Sequence, residues 1–169
     1  MSQVVAEPME QVQVRQRGGK YLSFFLDEEE YGIEILRVRE IIGLMPITQV
    51  PRTPPSIRGI INLRGKVIPV LDLRRRFRLP EVEATQQTCI IVVQSHEDVV
   101  GIVVDKVSEV LDIGAQDIDD APAFGRDVET DYILGIGKYE GRVRLLLDID
   151  RVLDFETFRG LSLPDAQGA

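Results

Sequence analysis

Tryptophan is absent from this 169-residue chain, and cysteine and histidine occur once each. A lone cysteine excludes an internal disulfide framework. Cys89, set in Thr88-Cys89-Ile90-Ile91-Val92-Val93, reads as a buried small hydrophobe. His96 lies in a polar stretch, Ser95-His96-Glu97-Asp98, and reads as a solvated loop residue. With no second histidine or cysteine beside it, no zinc or non-haem iron ligand set is visible. Aromatic residues make up only 6% of the chain, so an apolar content of 44% has to be mostly Val, Ile and Leu. β-branched residues at that density favour sheet. No apolar run approaches the length of a membrane span, and the N-terminus lacks a basic-then-apolar signal pattern. A cytoplasmic protein without membrane insertion is expected. The net charge of −8 argues against nucleic acid and anionic lipid as partners, because both need clustered cations.

The most informative stretch is Gly59-Ile60-Ile61-Asn62-Leu63-Arg64-Gly65-Lys66-Val67-Ile68-Pro69-Val70-Leu71-Asp72-Leu73. Two apolar runs flank a polar tip with glycine where the backbone needs freedom, which predicts a β-hairpin. Asp72 is placed to cap a following helix. The pattern returns without a gap from Gly135 to Ile149. Gly59 then meets Gly135, Gly65 meets Gly141, Val67 meets Val143, Leu71 meets Leu147 and Asp72 meets Asp148. Upstream, Gly32-Ile33 matches Gly101-Ile102, Val38 matches Val107, and Glu40 matches Glu109. The chain reads as a duplication.

Residues 1–19 show no periodicity and read as a disordered tail. Tyr21 to Leu26 and Tyr31 to Ile35 form a hairpin around Asp27-Glu28-Glu29-Glu30, which reads as a solvated acidic turn. Ile35 to Leu44 fits a strand bent near Arg37-Val38, with a short helix as the alternative. Val38 and Glu40 would then point away from the core that Ile35, Ile41 and Ile42 join. Met45 to Val50 is a further short strand. Thr53 and Pro54 open a single helical turn closed by Gly59. The halves are placed at about 20–80 and 86–158, with a C-terminal helix over about 148–158 and a flexible tail over 159–169. Short strands with tight turns point to small barrels. Two units of this size are each marginal alone and should share an apolar interface, with the groove between them as the functional surface.

A catalytic constellation does not emerge. Gly65-Lys66-Val67 lacks the glycines and hydroxyl of a phosphate loop. Gly135-Ile136-Gly137 is a hairpin feature and a weak dinucleotide signal. Asp72 and Asp148 could be an acid/base couple of a small hydrolase, but helix capping explains both positions at once. No enzymatic activity and no cofactor are expected.

The run Tyr31-Gly32-Ile33-Glu34-Ile35-Leu36-Arg37-Val38-Arg39-Glu40-Ile41-Ile42, with Thr53-Pro54 through Gly59, Asn62-Leu63-Arg64-Gly65 and Ile68-Pro69-Val70-Leu71-Asp72-Leu73, resembles the CheW-like domain family of bacterial chemotaxis coupling proteins. Val100 to Leu111 is similar again. The resemblance implies a mostly β fold of two SH3-like five-stranded barrels in a pseudo-twofold relation, with short helices after each. It further implies a monomeric, non-enzymatic adaptor. Such a protein joins the cytoplasmic helical hairpin of methyl-accepting chemoreceptors to the regulatory domain of the histidine kinase CheA. A related scaffold serving another receptor-kinase pathway, in motility or second-messenger control, is the alternative. Family positions used in receptor coupling correspond to Val38, Glu40, Gly59, Asn62, Arg64 and Val110. Kinase contact is implied for the loop from Ile118 to Phe124, where this chain carries Asp119-Asp120 in place of the more usual basic residue.

Overall fold

The computed structural model describes residues 17–122 and 131–153. Each expected hairpin forms. β1 (Gly19–Leu26) and β2 (Glu29–Glu34) flank the acidic turn, and β6 (Cys89–Ser95) and β7 (Asp98–Val104) are their repeat partners. β4 (Ile57–Leu63) pairs with β5 (Lys66–Asp72), and β10 (Ile133–Tyr139) with β11 (Arg142–Leu147). Their tips are Arg64-Gly65, with φ of 52° and 89°, and Glu140-Gly141, with φ of 51° and 76°. Two successive left-handed residues give the turn whose twist matches the flanking strands. β3 (Val38–Gly43), β8 (Lys106–Ile113) and the two-residue β9 (Ile118–Asp119) complete the strands. Two short helices follow the repeated hairpins, α1 (Leu73–Arg76) and α2 (Ile149–Leu153). Residues 154–158 of the expected terminal helix lie outside the described residues.

The strands form one five-stranded sheet, β3-β6-β7-β5-β4, and one six-stranded sheet, β8-β1-β2-β11-β10-β9. These are the two barrels, but they do not follow the sequence halves. The first half's β1–β2 hairpin closes the second half's barrel, and β6–β7 closes the first half's. A boundary at about 80–86 therefore marks the repeat, not the sheets. The exchange is symmetric: Leu146 pairs with Gly32 and Leu147 with Ile33 in parallel, as Val70 pairs with Gly101 and Leu71 with Ile102. Glycine is needed at this crossing. A Cβ on Gly32 would lie 2.9 Å from Leu146, and one on Gly101 2.7 Å from Ile90.

The largest apolar cluster lies between the barrels. It joins Leu22, Phe24, Leu26, Ile33 and Leu147 of one sheet to Ile57, Leu71, Ile91, Val93, Val100 and Ile102 of the other, with Leu73, Val152 and Leu153 from the helices. Each barrel's own interior cluster is smaller. Cys89 packs, half buried, against the shared core, and burial pushes its thiol pKa up.

Several local expectations change. Ile35 to Leu44 is neither a bent strand alone nor an α-helix: a 3-10 turn, Ile35–Arg37, leads into β3. A register shift between Val38 and Glu40 leaves Val38 packed on the shared core and Ile41 exposed at 45%, the reverse of the expected facing. Met45 to Val50 is not a strand; its one ladder contact is the Thr48 bridge to Ile60. Pro46 cannot donate to a ladder. Thr53 opens no helix, because its hydroxyl donates back to the Val50 carbonyl at 3.0 Å. The acidic turn is not wholly solvated. Glu30 is buried and lies 3.1 Å from the buried Arg144 and from Arg142.

Where the chain crosses between barrels, buried charge is fully engaged. Arg74 of α1 donates to Asp105 through Nε at 2.8 Å and Nη2 at 2.5 Å, to Asp27, and to the Pro80 carbonyl at 2.6 Å. Burial pushes the Asp105 carboxyl up, but the Arg74 bonds outweigh it and hold the group below its usual range. Asp150 of α2 accepts from Arg37 at 2.9 and 3.1 Å and from the Ser95 hydroxyl at 2.6 Å. Against burial, those bonds likewise hold it low. His96 is an exposed turn residue, as expected, and lies 3.8 Å from the same carboxylate.

Two predictions come from this chemistry. In the repeat Glu30 and Arg144 correspond to Val99 and Ile68, so the other barrel already holds the apolar version. Glu30→Val alone strands a buried cation and should cost about 3–5 kcal/mol in urea unfolding, whereas Glu30→Val with Arg144→Ile should be near neutral or stabilising. Asp105 and Asp150 bind protons less tightly in the fold than in the unfolded chain. Their contribution is present above the ordinary value of 3.8 and is lost as pH falls through the lower folded values. Melting temperatures followed from pH 7 downward should show an acid limb that Asp150→Asn flattens. Equal acid limbs in the two proteins would contradict the assignment.

Candidate functional site

Alternation along β3 turns Val38, Glu40 and Ile42 partly inward and Arg39 and Ile41 outward. The left-handed turn at Arg64 carries its side chain from the β4–β5 tip to β3, where Nη2 donates to Glu40 Oε1. β3 and β4 are not neighbours. They are the two ends of the five-stranded sheet, so the Glu40 and Arg64 pair spans the seam of its barrel instead of joining adjacent strands. With Arg64 70% exposed, such a pair contributes about 0–1 kcal/mol. Its consequence is geometric, since it holds the tip in one orientation.

Asn62 belongs to the same tip, and its Oδ1 accepts from the Gly65 N–H at 2.8 Å. This side chain shapes the turn. Gly59 is buried, with φ of 148°, and a Cβ there would lie 2.1 Å from the Thr48 carbonyl oxygen. The close approach that demands glycine is thus made by the protein's own backbone, not by an incoming partner. Gly135 has the same task in the other barrel, where a Cβ would meet Ile118 at 2.6 Å.

Val110 is 49% exposed on β8, the edge strand of the six-stranded sheet. It therefore sits on a different barrel from Val38, Glu40, Asn62 and Arg64. Ile118 is buried in that barrel's interior cluster, so its side chain does not present a surface. Phe124 lies outside the described residues. Asp119 and Asp120 are engaged internally, by Lys138 at 3.1 Å and Arg17 at 2.8 Å.

Sequence reasoning missed three apolar residues exposed on strands. Ile41 occupies the repeat position of Val110, and Val67 and Val143, exposed at 38% and 64%, occupy each other's. Overlaying the halves and asking which apolar residues face outward on the strands would have found them. Apolar side chains on open strand edges suit protein contact. The charge around the two sets differs: the Arg64 and Glu40 positions are Glu140 and Glu109 in the second barrel, where no such pair can form.

The two candidate catalytic carboxylates are engaged by backbone. Asp72 accepts from the N–H groups of Arg74 and Arg75 at 2.9 and 3.3 Å, and Asp148 from that of Asp150 at 3.1 Å. Among the described residues no cluster of His, Cys, Asp or Glu could hold a metal ion, and no helix is long and apolar enough to cross a membrane.

Fold and surface together define a two-barrel protein-interaction module with exposed edge strands and an oriented hairpin tip. The family of CheW-like domains matches residues 20–156, and the chain belongs to it. Among relatives, the chemotaxis protein CheW of Klebsiella aerogenes is 42% identical over 139 residues, covering 82% of this chain and 84% of that protein. CheW of Bacillus subtilis is 38% identical over 149 residues, covering 88% and 94%. The crystal structure of the scaffolding protein TtCheW from Thermoanaerobacter tengcongensis superposes with a TM-score of 0.74 at 34% identity, covering 81% of this chain and 93% of that one.

The capping role is checked by stability. Asp148→Ala should lose about 0.5–2 kcal/mol, while Asp148→Asn, which keeps an acceptor, should lose little. Equal losses in urea titrations of the two variants would remove the cap as the explanation.

Proposed function

We propose that this protein is a cytoplasmic, non-enzymatic adaptor of a chemotaxis array, linking the helical hairpin tips of chemoreceptors to the regulatory domain of the kinase CheA. The observation that carries the reading is the Arg64 and Glu40 pair on an otherwise solvated hairpin tip. It adds little stability, so a tip held in this way serves recognition. Membership of the CheW-like family supplies the partner class. Glu40 on β3 and Arg64 at the tip present a polar edge beside the exposed Ile41, with half-buried Val38 supporting it from the core side, an arrangement suited to an amphipathic helix laid along the barrel. Asn62 and Gly59 shape that surface from behind. Val110 and its counterpart Ile41 offer apolar contact on the two edge strands, and the kinase is the partner suited to the second barrel's edge near β9. Ile118 would support that edge from within the barrel.

Reconstituted kinase autophosphorylation with receptor fragments and CheA, with and without this protein, is the direct test. Arg64→Asp should keep the parental melting profile yet weaken receptor binding about tenfold, the loss expected for an interfacial arginine contributing about 1.4 kcal/mol. Exchanging the charges, Glu40→Arg with Arg64→Glu, should restore part of it if the tip's orientation matters. Undiminished kinase activation by Arg64→Asp would take the tip out of the site.

A further inference from the structure

The two crossings between barrels carry equivalent contacts with inverted charge. α1 follows β5 of the five-stranded barrel, and its Arg74 reaches Asp27 in the β1–β2 turn of the other barrel and Asp105 between β7 and β8. α2 follows β11 of the six-stranded barrel, and its Asp150 reaches Ser95 and His96 at the β6–β7 turn and Arg37 between β2 and β3. In the repeat, Arg74 and Asp150 are equivalent. So are Asp27 and His96, both left-handed turn residues with φ of 56° and 54°. Each helix thus clasps its own half's hairpin, which is seated in the other barrel. One clasp is a cation between two acids, and the other is an acid held by an arginine and a hydroxyl.

The inversion matters because, the buried Glu30 and Arg144 pair apart, the two hairpins are alike. β1–β2 and β6–β7 share length, alternation and the glycine crossing, and their buried faces are mostly apolar. Apolar burial is non-directional and cannot tell them apart. In the unexchanged arrangement each barrel would be closed by its own half's hairpin. Asp27 would then face Asp150, and His96 and Arg37 would face Arg74, setting like charges together at two partly buried sites. Like charge at short range in a poorly solvated site is strongly unfavourable, and charge-assisted bonds are directional as well as strong. We infer that the clasps of Arg74 and Asp150 are a pairing code: they specify which hairpin closes which barrel, and so enforce the exchanged topology over the unexchanged one. The inference concerns the fold and stands apart from any partner.

Rescue within one clasp tests it. Spin labels at Glu28→Cys, in the β1–β2 turn, and Lys66→Cys, on the five-stranded barrel, in a Cys89→Ala background, report which barrel the first hairpin joins. The parent should give one narrow distance. Asp150→Arg should add a second distance and lower the melting temperature. Arg37→Asp combined with Asp150→Arg should return both to parental values, since the clasp is remade with its charges exchanged. The inference is overturned if Asp150→Arg keeps the single parental distance, or if the double variant melts no higher than Asp150→Arg. The second comparison decides the matter even where Asp150→Arg alone folds poorly.

Discussion

The surface between the barrels governs this structure. Its cluster, from Leu22, Phe24 and Ile33 across to Ile91, Val93 and Ile102, is larger than the core inside either barrel. A unit of roughly half this chain buries too little apolar surface to stand alone, so each barrel depends on the shared face. Hairpin exchange follows naturally. Strands that pass from one barrel into the other carry side chains into both, and the parallel contacts at Gly32 and Gly101 draw the backbones close enough to exclude water.

On this nearly symmetric frame, several of the differences between the barrels are differences of charge. Glu30 and Arg144 stand where the other barrel has Val99 and Ile68. Glu109 and Glu140 stand where it has Glu40 and Arg64. The backbone tolerates each exchange because strand register and turn geometry are indifferent to what the side chain carries, provided buried charge is paired. Two faces of similar shape thereby acquire different chemistry, and partners can distinguish them. On the proposed adaptor reading, two chemically distinct faces would let two different partners be told apart.

What was legible in the sequence was local. Hairpins at Gly59 to Leu73 and Gly135 to Ile149 are written in alternation and in glycine after Arg64 and Glu140. The caps at Asp72 and Asp148 are written in their position before helices. The pairing of Glu40 with Arg64 could be anticipated from opposite charge near one tip. Which hairpin joins which barrel could not, because β1–β2 and β6–β7 carry the same pattern and pairing is a long-range choice. Gly59 reads in the sequence as the close of a turn and as a contact position, since a glycine does not show whether the body approaching it is a partner or, as here, the Thr48 carbonyl. Ile118 lies in a polar loop sequence, and only its bridge to β10 turns it inward. Arg74, one of three consecutive arginines, gives no local sign that it alone is buried.

Orientation, more than affinity, is what the Arg64 and Glu40 contact supplies. Binding a helix to a mobile tip would cost ordering entropy at the moment of contact. A tip already bridged across its barrel seam, braced by Asn62 on Gly65 and seated on the Gly59 crossing, incurs that cost when the protein folds. The same logic explains why the polar groups nearest this surface are engaged with each other and not poised for chemistry. A coupling protein transmits the position of one partner to another. Rigidity between its two faces, set by the shared core and the charged clasps at its crossings, is the property through which that transmission would run.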